Sequence, residues 1–305
     1  MENRSDELVK RIHELKKERN AVILAHNYQP ADIQDMADFV GDSLELSQKA
    51  ASTPAAVIVF CGVHFMAETA SILSPHKKVL LPESSAGCPM ADMVTAEKLR
   101  ARKKELPNAV VVTYINSSAA VKAESDICCT SANAPQVVAS LPDEEILFVP
   151  DKYLGQYVAS KVPDKKYTFW PGFCPVHKGI KAAAVLKIKN AYPGAKVAVH
   201  PECRPEVIAL ADEVLSTGGM CRYAGRPDVN QVIVVTETGI IHRLQKENPQ
   251  KQFIPVSDTA VCRTMKSITL EKVLHSLETL TPEVKVPEDI RLKAIGAVNR
   301  MLQII

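Results

Sequence analysis

Short runs of Val, Ile and Leu recur along the chain in groups of four. The first group is Ala21–Ala25, a weaker element at Asp38–Val40, Val57–Phe60 and Val79–Leu81. The second is Ala109–Thr113, Asp126–Cys129, Ile146–Val149 and Tyr167–Trp170. The third is Lys196–Val199, Glu213–Leu215, Gln231–Val235 and Gln252–Pro255. Runs of this length without polar alternation read as strands buried on both faces. The first strands begin at residues 21, 109 and 196, a period of about 87 residues. Between the runs the pattern turns helical. Glu7–Arg19 places Leu8, Ile12 and Leu15 on one face, Thr95–Leu106 opens on a threonine cap, and Lys178–Ala191 ends before Pro193-Gly194.

Strand–helix alternation predicts parallel sheets covered by helices on both faces. The expected architecture is α/β: three homologous αβα-sandwich domains with parallel four-stranded sheets around a pseudo-threefold axis. The expected boundaries are 1–87, 88–173 and 174–287. An amphipathic C-terminal helix at 288–305, with Ile290, Ala294, Ala297 and Leu302 on one face, is expected to brace the domains. Ligands of such sheets bind beyond the carboxyl ends of the strands, so three sheets pointing inward create one central cavity.

Three cysteines follow the same period. Cys88, Cys174 and Cys262 each stand a few residues beyond the last strand of a repeat. Thr95-Ala-Glu-Lys-Leu and Thr269-Leu-Glu-Lys-Val follow Cys88 and Cys262 at the same distance. Pro follows Cys88 and Cys174 directly, a pattern suited to a helix start, where a thiolate is favoured; Arg263 follows Cys262. Three thiolates from three domains can hold one metal centre and leave a position open. Zinc completed by His or water, and a [4Fe–4S] cluster with one iron free of protein, both satisfy that pattern. Cys61, Cys128, Cys129, Cys203 and Cys221 lack the repeat position and read as buried thiols.

The ends of the first strands read LAHNY, TYIN and VHPE, delivering His26 and Tyr28, Tyr114 and Asn116, His200 and Glu202. Residues two apart on extended chain point to one side. The ends of the second strands deliver Ser43, Ser131, and Ser216 with Thr217. Any one of these has a plain structural explanation, a helix cap or a satisfied buried side chain. Together they offer hydroxyls and an amide for anionic groups, and His and Glu for proton transfer.

Net charge is only +2 and hydrophobic residues make up 46%, so nothing points to nucleic acid or an anionic membrane. The charged start MENRSDELVKRIHELKK lacks the apolar core of a secretory signal, and no apolar run is long enough to span a membrane. The expected compartment is cytoplasmic, where thiols stay reduced.

The segments LAHNYQ, DFVGDS, ESSAGCPMADM, TYINSSA, CTSANA, WPGFCPVH, HPEC, STGGM and TETGI, in this order over nearly the whole chain, resemble quinolinate synthase. The resemblance implies an enzyme of de novo NAD synthesis that condenses iminoaspartate with dihydroxyacetone phosphate to quinolinate, releasing phosphate and water. It implies a [4Fe–4S] cluster on Cys88, Cys174 and Cys262 with one iron open to substrate. It also implies substrate contacts at His26, Tyr28, Ser43, Tyr114, Asn116, Ser131, His200, Glu202, Ser216 and Thr217. Tyr28, His26, Glu202, His200 and Tyr114 are the expected catalytic groups. An L-aspartate oxidase or dehydrogenase is the transient partner that would supply iminoaspartate. Some members carry a C-x-x-C-x-x-C run at the third ligand; Cys262-Arg-Thr-Met-Lys-Ser holds one cysteine, so thiol–disulfide control there is unsupported. Two rival readings fit part of the pattern. A diphthamide-synthase-like enzyme is similar in resting one cluster on three α/β domains, but it cleaves S-adenosylmethionine. A non-catalytic metal-binding protein with a three-cysteine site would leave His200 and Glu202 idle.

Overall fold

The computed structural model describes residues 4–142 and 145–304. It contains three four-stranded parallel sheets. The first is β1 (Ala21–His26), β2 (Phe39–Gly41), β3 (Val57–Cys61) and β4 (Lys78–Leu80). The second is β5 (Val110–Tyr114), β6 (Ile127–Cys129), β7 (Glu145–Val149) and β8 (Lys166–Phe169). The third is β9 (Lys196–Val199), β10 (Glu213–Val214), β11 (Gln231–Val235) and β12 (Gln252–Pro255). Strand order is the same each time: second, first, third, fourth. The register repeats as well, with Ala25 beside Cys61, Thr113 beside Val149 and Val199 beside Val235.

The strands form where apolar residues can be buried from both sides. All five residues of β3 are buried, and Ile58, Val59, Phe148 and Ile233 are essentially sealed from solvent. Burying one such side chain contributes about 1.5–3 kcal/mol. The second strand of each sheet is an edge strand of only two or three residues, which limits unpaired backbone.

An aspartate fixes each of these short edges. Asp38 Oδ2 accepts the Ile23 N–H, Asp126 Oδ2 the Val111 N–H and Asp212 Oδ2 the Val197 N–H, each at 2.8 Å. The aspartate's own N–H donates to the carbonyl of that same residue at 3.0, 3.1 and 2.9 Å. A lysine closes each repeat again: Lys77, Lys165 and Lys251 donate to the carbonyls of Thr53, Leu141 and Ala224. The triplication extends to individual hydrogen bonds.

Helix boundaries follow their caps. Thr95 accepts the Lys98 N–H and starts Ala96–Glu105, within the expected span. The first helix is Arg4–Glu18 and packs on Leu270–Thr279. The expected continuous helix Lys178–Ala191 is two helices instead, Pro175–Gly179 and Ala182–Ala191. Pro175 starts the first one early, and the chain turns extended at Ile180, which is buried in the core of the third sheet. The C-terminal helix is Glu288–Leu302, and Ile305 of the expected span lies outside the described residues. It packs on β6, on helix Ala119–Lys122 and on helix His64–Leu73. Asn133 reaches the helix end, donating to the Met301 and Ile304 carbonyls at 3.1 and 2.7 Å. No helix among the described residues is long and apolar enough to cross a membrane.

Candidate active site

The carboxyl ends of the three sheets share one cavity. Its lining includes His26, Tyr28, Ser43, Tyr114, Asn116, Ser131, His200, Glu202 and Thr217. Cys88, Cys174 and Cys262 line the same cavity and also an outer mouth with Pro89, Pro175 and Arg263. The cavity volume is ≈ 70 Å³. One water needs roughly 10–15 Å³ by that measure, so the space is that of a small metabolite.

Ser216 is the exception among the expected residues. Its hydroxyl accepts the Gly219 N–H at 3.1 Å, capping helix Thr217–Ala224, and donates to Asp42 Oδ2 at 3.0 Å. Thr217, one residue later, is the one that reaches the cavity, and Asn27 Nδ2 donates to its hydroxyl at 2.9 Å.

The first-strand residues meet across the sheet junctions. Tyr114 OH donates to Glu202 Oε1 at 2.5 Å. The other carboxylate oxygen lies 2.7 Å from His177 Nδ1. His177 Nε2 lies 2.8 Å from Thr236 Oγ1, and Thr236 Oγ1 lies 2.5 Å from Tyr28 OH. A buried chain thus runs Tyr114–Glu202–His177–Thr236–Tyr28 through all three repeats. His177 also stacks on His200, ring centres 4.6 Å apart.

Burial raises a carboxyl pKa, but for Glu202 the neighbouring His177, His200 and the Tyr114 hydroxyl outweigh it, and the pKa falls to about 2. Glu202 is therefore ionised. Burial, reinforced by the Glu202 charge, pushes both Tyr28 and Tyr114 well above the usual phenol range, so both stay protonated. Burial pulls His26 down to about 3, helped by Lys266, and His200 down to about 3, helped by His177. Both imidazoles are neutral. His26 Nδ1 accepts the Tyr28 N–H at 3.1 Å and His200 Nδ1 accepts the Glu202 N–H at 3.4 Å. That leaves the proton on Nε2 in both, the same tautomer set by the same turn in two repeats.

The donor set fits a thiolate-held group. Of eight free cysteines, only Cys88, Cys174 and Cys262 are not fully buried, and these three share one cavity. Cys174 is the residue before helix Pro175–Gly179. Its thiol, His177 and Glu202 place ligand atoms within 4.8 Å of one another. In the metal-free chain burial pushes the Cys88 thiol up to about 12 and Cys174 higher than an ordinary thiol, so metal binding there must release protons.

Among the residues absent from the sequence-based set are Asp42, His177 and Glu237, which line the cavity, and Thr236, which joins His177 to Tyr28. His177 sits inside WPGFCPVH, three residues past Cys174. Thr236 and Glu237 directly follow the third strand of the third sheet. Beside the three cysteines, the sequence-based set draws on first- and second-strand ends; extending it to the third-strand ends, Val63, Asp151 and Glu237, finds Glu237 and its neighbour Thr236 but not His177.

Residues 10–303 match the family model described as NadA, quinolinate synthetase A protein. A protein named quinolinate synthase from Dehalococcoides mccartyi (strain CBDB1) is 62% identical over 295 residues, covering 97% of each chain. Proteins of that name from Geobacter metallireducens and Thermodesulfovibrio yellowstonii are 56% identical over 300 residues and 55% over 297. They cover 98% and 97% of this chain, and 98% of their own length in both cases. With near-complete coverage at these identities, the chain belongs to the quinolinate synthetase A family, enzymes of NAD biosynthesis.

Proposed function

We propose that the chain condenses iminoaspartate with dihydroxyacetone phosphate to quinolinate, releasing phosphate and water. Cys88, Cys174 and Cys262 would hold a [4Fe–4S] cluster at the junction of three repeats, 1–87, 88–173 and 174–287, braced by the segment from 288. The observation that carries the reading is the convergence of three half-buried thiols on the small cavity that also holds the Tyr114–Glu202–His177–Thr236–Tyr28 chain. No fourth cysteine lines that cavity among the described residues, consistent with a cluster that keeps one iron for substrate. When bound, such a cluster supplies a Lewis acid that polarises a hydroxyl for loss as water.

The protein's own groups do the rest. No Lys or Arg lines the cavity among the described residues. Carboxylate and phosphate oxygens would be met by the hydroxyls of Ser43, Ser131 and Thr217, the Asn116 amide, and the Nε2–H of neutral His26 and His200. Asn116 Oδ1 is buried with no partner in the protein, leaving it available to a ligand N–H or O–H. Tyr28 and Tyr114, both kept protonated, are acids. Glu202, kept ionised, is the base that removes a proton from substrate carbon or oxygen. His177 lies between Glu202 and Thr236 and can carry that proton toward Tyr28. We assign the activity to the cytoplasm, where the eight thiols, all free here, would stay reduced. The iminoaspartate supplier would be an L-aspartate oxidase or dehydrogenase acting transiently.

The test is product analysis. Anaerobically reconstituted protein is incubated with dihydroxyacetone phosphate and freshly generated iminoaspartate, and quinolinate is measured by mass. Quinolinate formation is expected. Its absence from protein that carries a full complement of cluster iron, or cleavage of S-adenosylmethionine instead, would overturn the assignment.

A further inference from the structure

Glu237 is wholly buried two residues beyond β11, where an unpaired carboxylate would be costly. Its partners explain why it is there. Oε1 accepts the backbone N–H of Cys262 at 3.1 Å, and Oε2 accepts the Gly239 N–H at 2.6 Å. Lys266 Nζ lies 3.0 Å from Oε1 and 3.2 Å from Oε2. The same ammonium donates to the backbone carbonyl of Tyr28, in the first repeat. Lys266 is itself tied to the cysteine, because its N–H reaches the Cys262 and Arg263 carbonyls at 3.2 Å each. One residue earlier, the Met265 carbonyl accepts Gln29 Nε2 at 2.8 Å. The loop 262–266 is therefore held against residues 28–29 from two points.

The repeats show that this arrangement is specific to the third. The equivalent position is Val63 in the first repeat, which offers no carboxylate. In the second it is Asp151, whose Oδ1 accepts the Tyr153 and Leu154 N–H groups to cap helix Lys152–Lys161 and whose carboxylate also lies at the Cys174 backbone N–H, but no lysine joins it among the described residues. Only in the third does the acid bridge a cysteine amide and a lysine that grips another domain.

We propose that Glu237 and Lys266 are positioning residues, a latch that fixes the Cys262 loop at a set distance from Tyr28. The proposal rests on reading Cys262 as a cluster ligand and Tyr28 as an acid of the reaction. Placement of the third ligand and closure of the first repeat onto the third are then one event. Opening the latch frees the cysteine and the tyrosine together.

The test uses the full-length, reduced, metal-free chain, pulsed with iodoacetamide and read peptide by peptide. Glu237→Gln keeps the shape and removes the charge. In it, Cys262 should alkylate about tenfold faster than in the parent, the loss of a charged hydrogen bond, while Cys88 and Cys174 keep their rates. Lys266→Met should act in the same direction, and Lys266→Arg should restore most of the protection. After anaerobic reconstitution, Lys266→Met should show a fall in kcat larger than any rise in KM. Unchanged Cys262 alkylation in Glu237→Gln, or equal acceleration at all three cysteines, would overturn the latch. Failure of the parent chain to load iron would instead remove the cluster reading and leave the latch standing, since alkylation is read without metal.

Discussion

Tyr114, at the end of the first strand of the second sheet, donates a 2.5 Å hydrogen bond to Glu202, just beyond β9 of the third. Under the repeat Tyr114 corresponds to His200 and Glu202 to Asn116, so one backbone places different side chains at the same strand ends. His177, on the far side of Glu202, lies in the connection between the second and third sheets and belongs to no strand end.

The carboxylate is the group with most at stake. Glu202→Gln should lower turnover by roughly 10²–10⁴-fold, the usual contribution of one positioned acid or base, with iron content unchanged. Tyr114→Phe should cost less, because Glu202 keeps its contact with His177. Near-parental turnover in Glu202→Gln would remove it from the mechanism.

The internal relay predicts a second effect. Thr236→Val removes the hydroxyl between His177 and Tyr28, 2.8 and 2.5 Å from each, without changing size much. Turnover should fall by about tenfold or more while substrate affinity holds, and Tyr28→Phe combined with it should cost no more than Tyr28→Phe alone. Additive losses in the double variant would show that the two do not act as one unit.

Cysteine substitution separates the ligands from the bystanders. Ala at Cys88, Cys174 or Cys262 should each abolish stable iron loading and the brown colour of anaerobic protein. Cys61→Ala and Cys221→Ala should load normally, since both thiols are buried away from the shared cavity. Full iron content in any of the first three, or zinc in place of iron in the parent, would exclude the three-thiolate cluster.

Acid should unfold the metal-free chain early. His26 and His200 have pKa values lowered from 6.5 to about 3 by burial. Between those values the unfolded chain binds more protons than the folded one, so stability rises with pH across this window. The contribution is full above about pH 6.5 and is lost as pH falls toward 3, at about 1.4 kcal/mol per pH unit per histidine. His200→Asn should flatten the profile of denaturant midpoint against pH in that window. An unchanged slope would show that the imidazole is not held neutral.

The fold is legible in the sequence because its signals are local and repeated. Twelve apolar runs on a common period mark the strands to within a residue or two, since a strand buried on both faces must be apolar throughout. The break within 178–191 is not legible, because periodicity does not register a kink that depends on where Ile180 is buried. Ser216 and Thr217 show the same limit: two adjacent hydroxyls look alike along the chain, and helix capping decides which one faces the cavity.

The sequence by itself determined three α/β repeats, the strand ends that face inward, and which three of eight cysteines share a repeat position. Those follow from periodicity, which needs no third dimension. Only the tertiary structure decided the pairings between repeats. Tyr114 with Glu202, Tyr28 with Thr236 and Lys266 with the Tyr28 carbonyl join residues 88, 208 and 238 positions apart. The physical reason is that charge and proton position depend on burial and on the nearest partner. Both were settled when three separate sheets closed on one cavity.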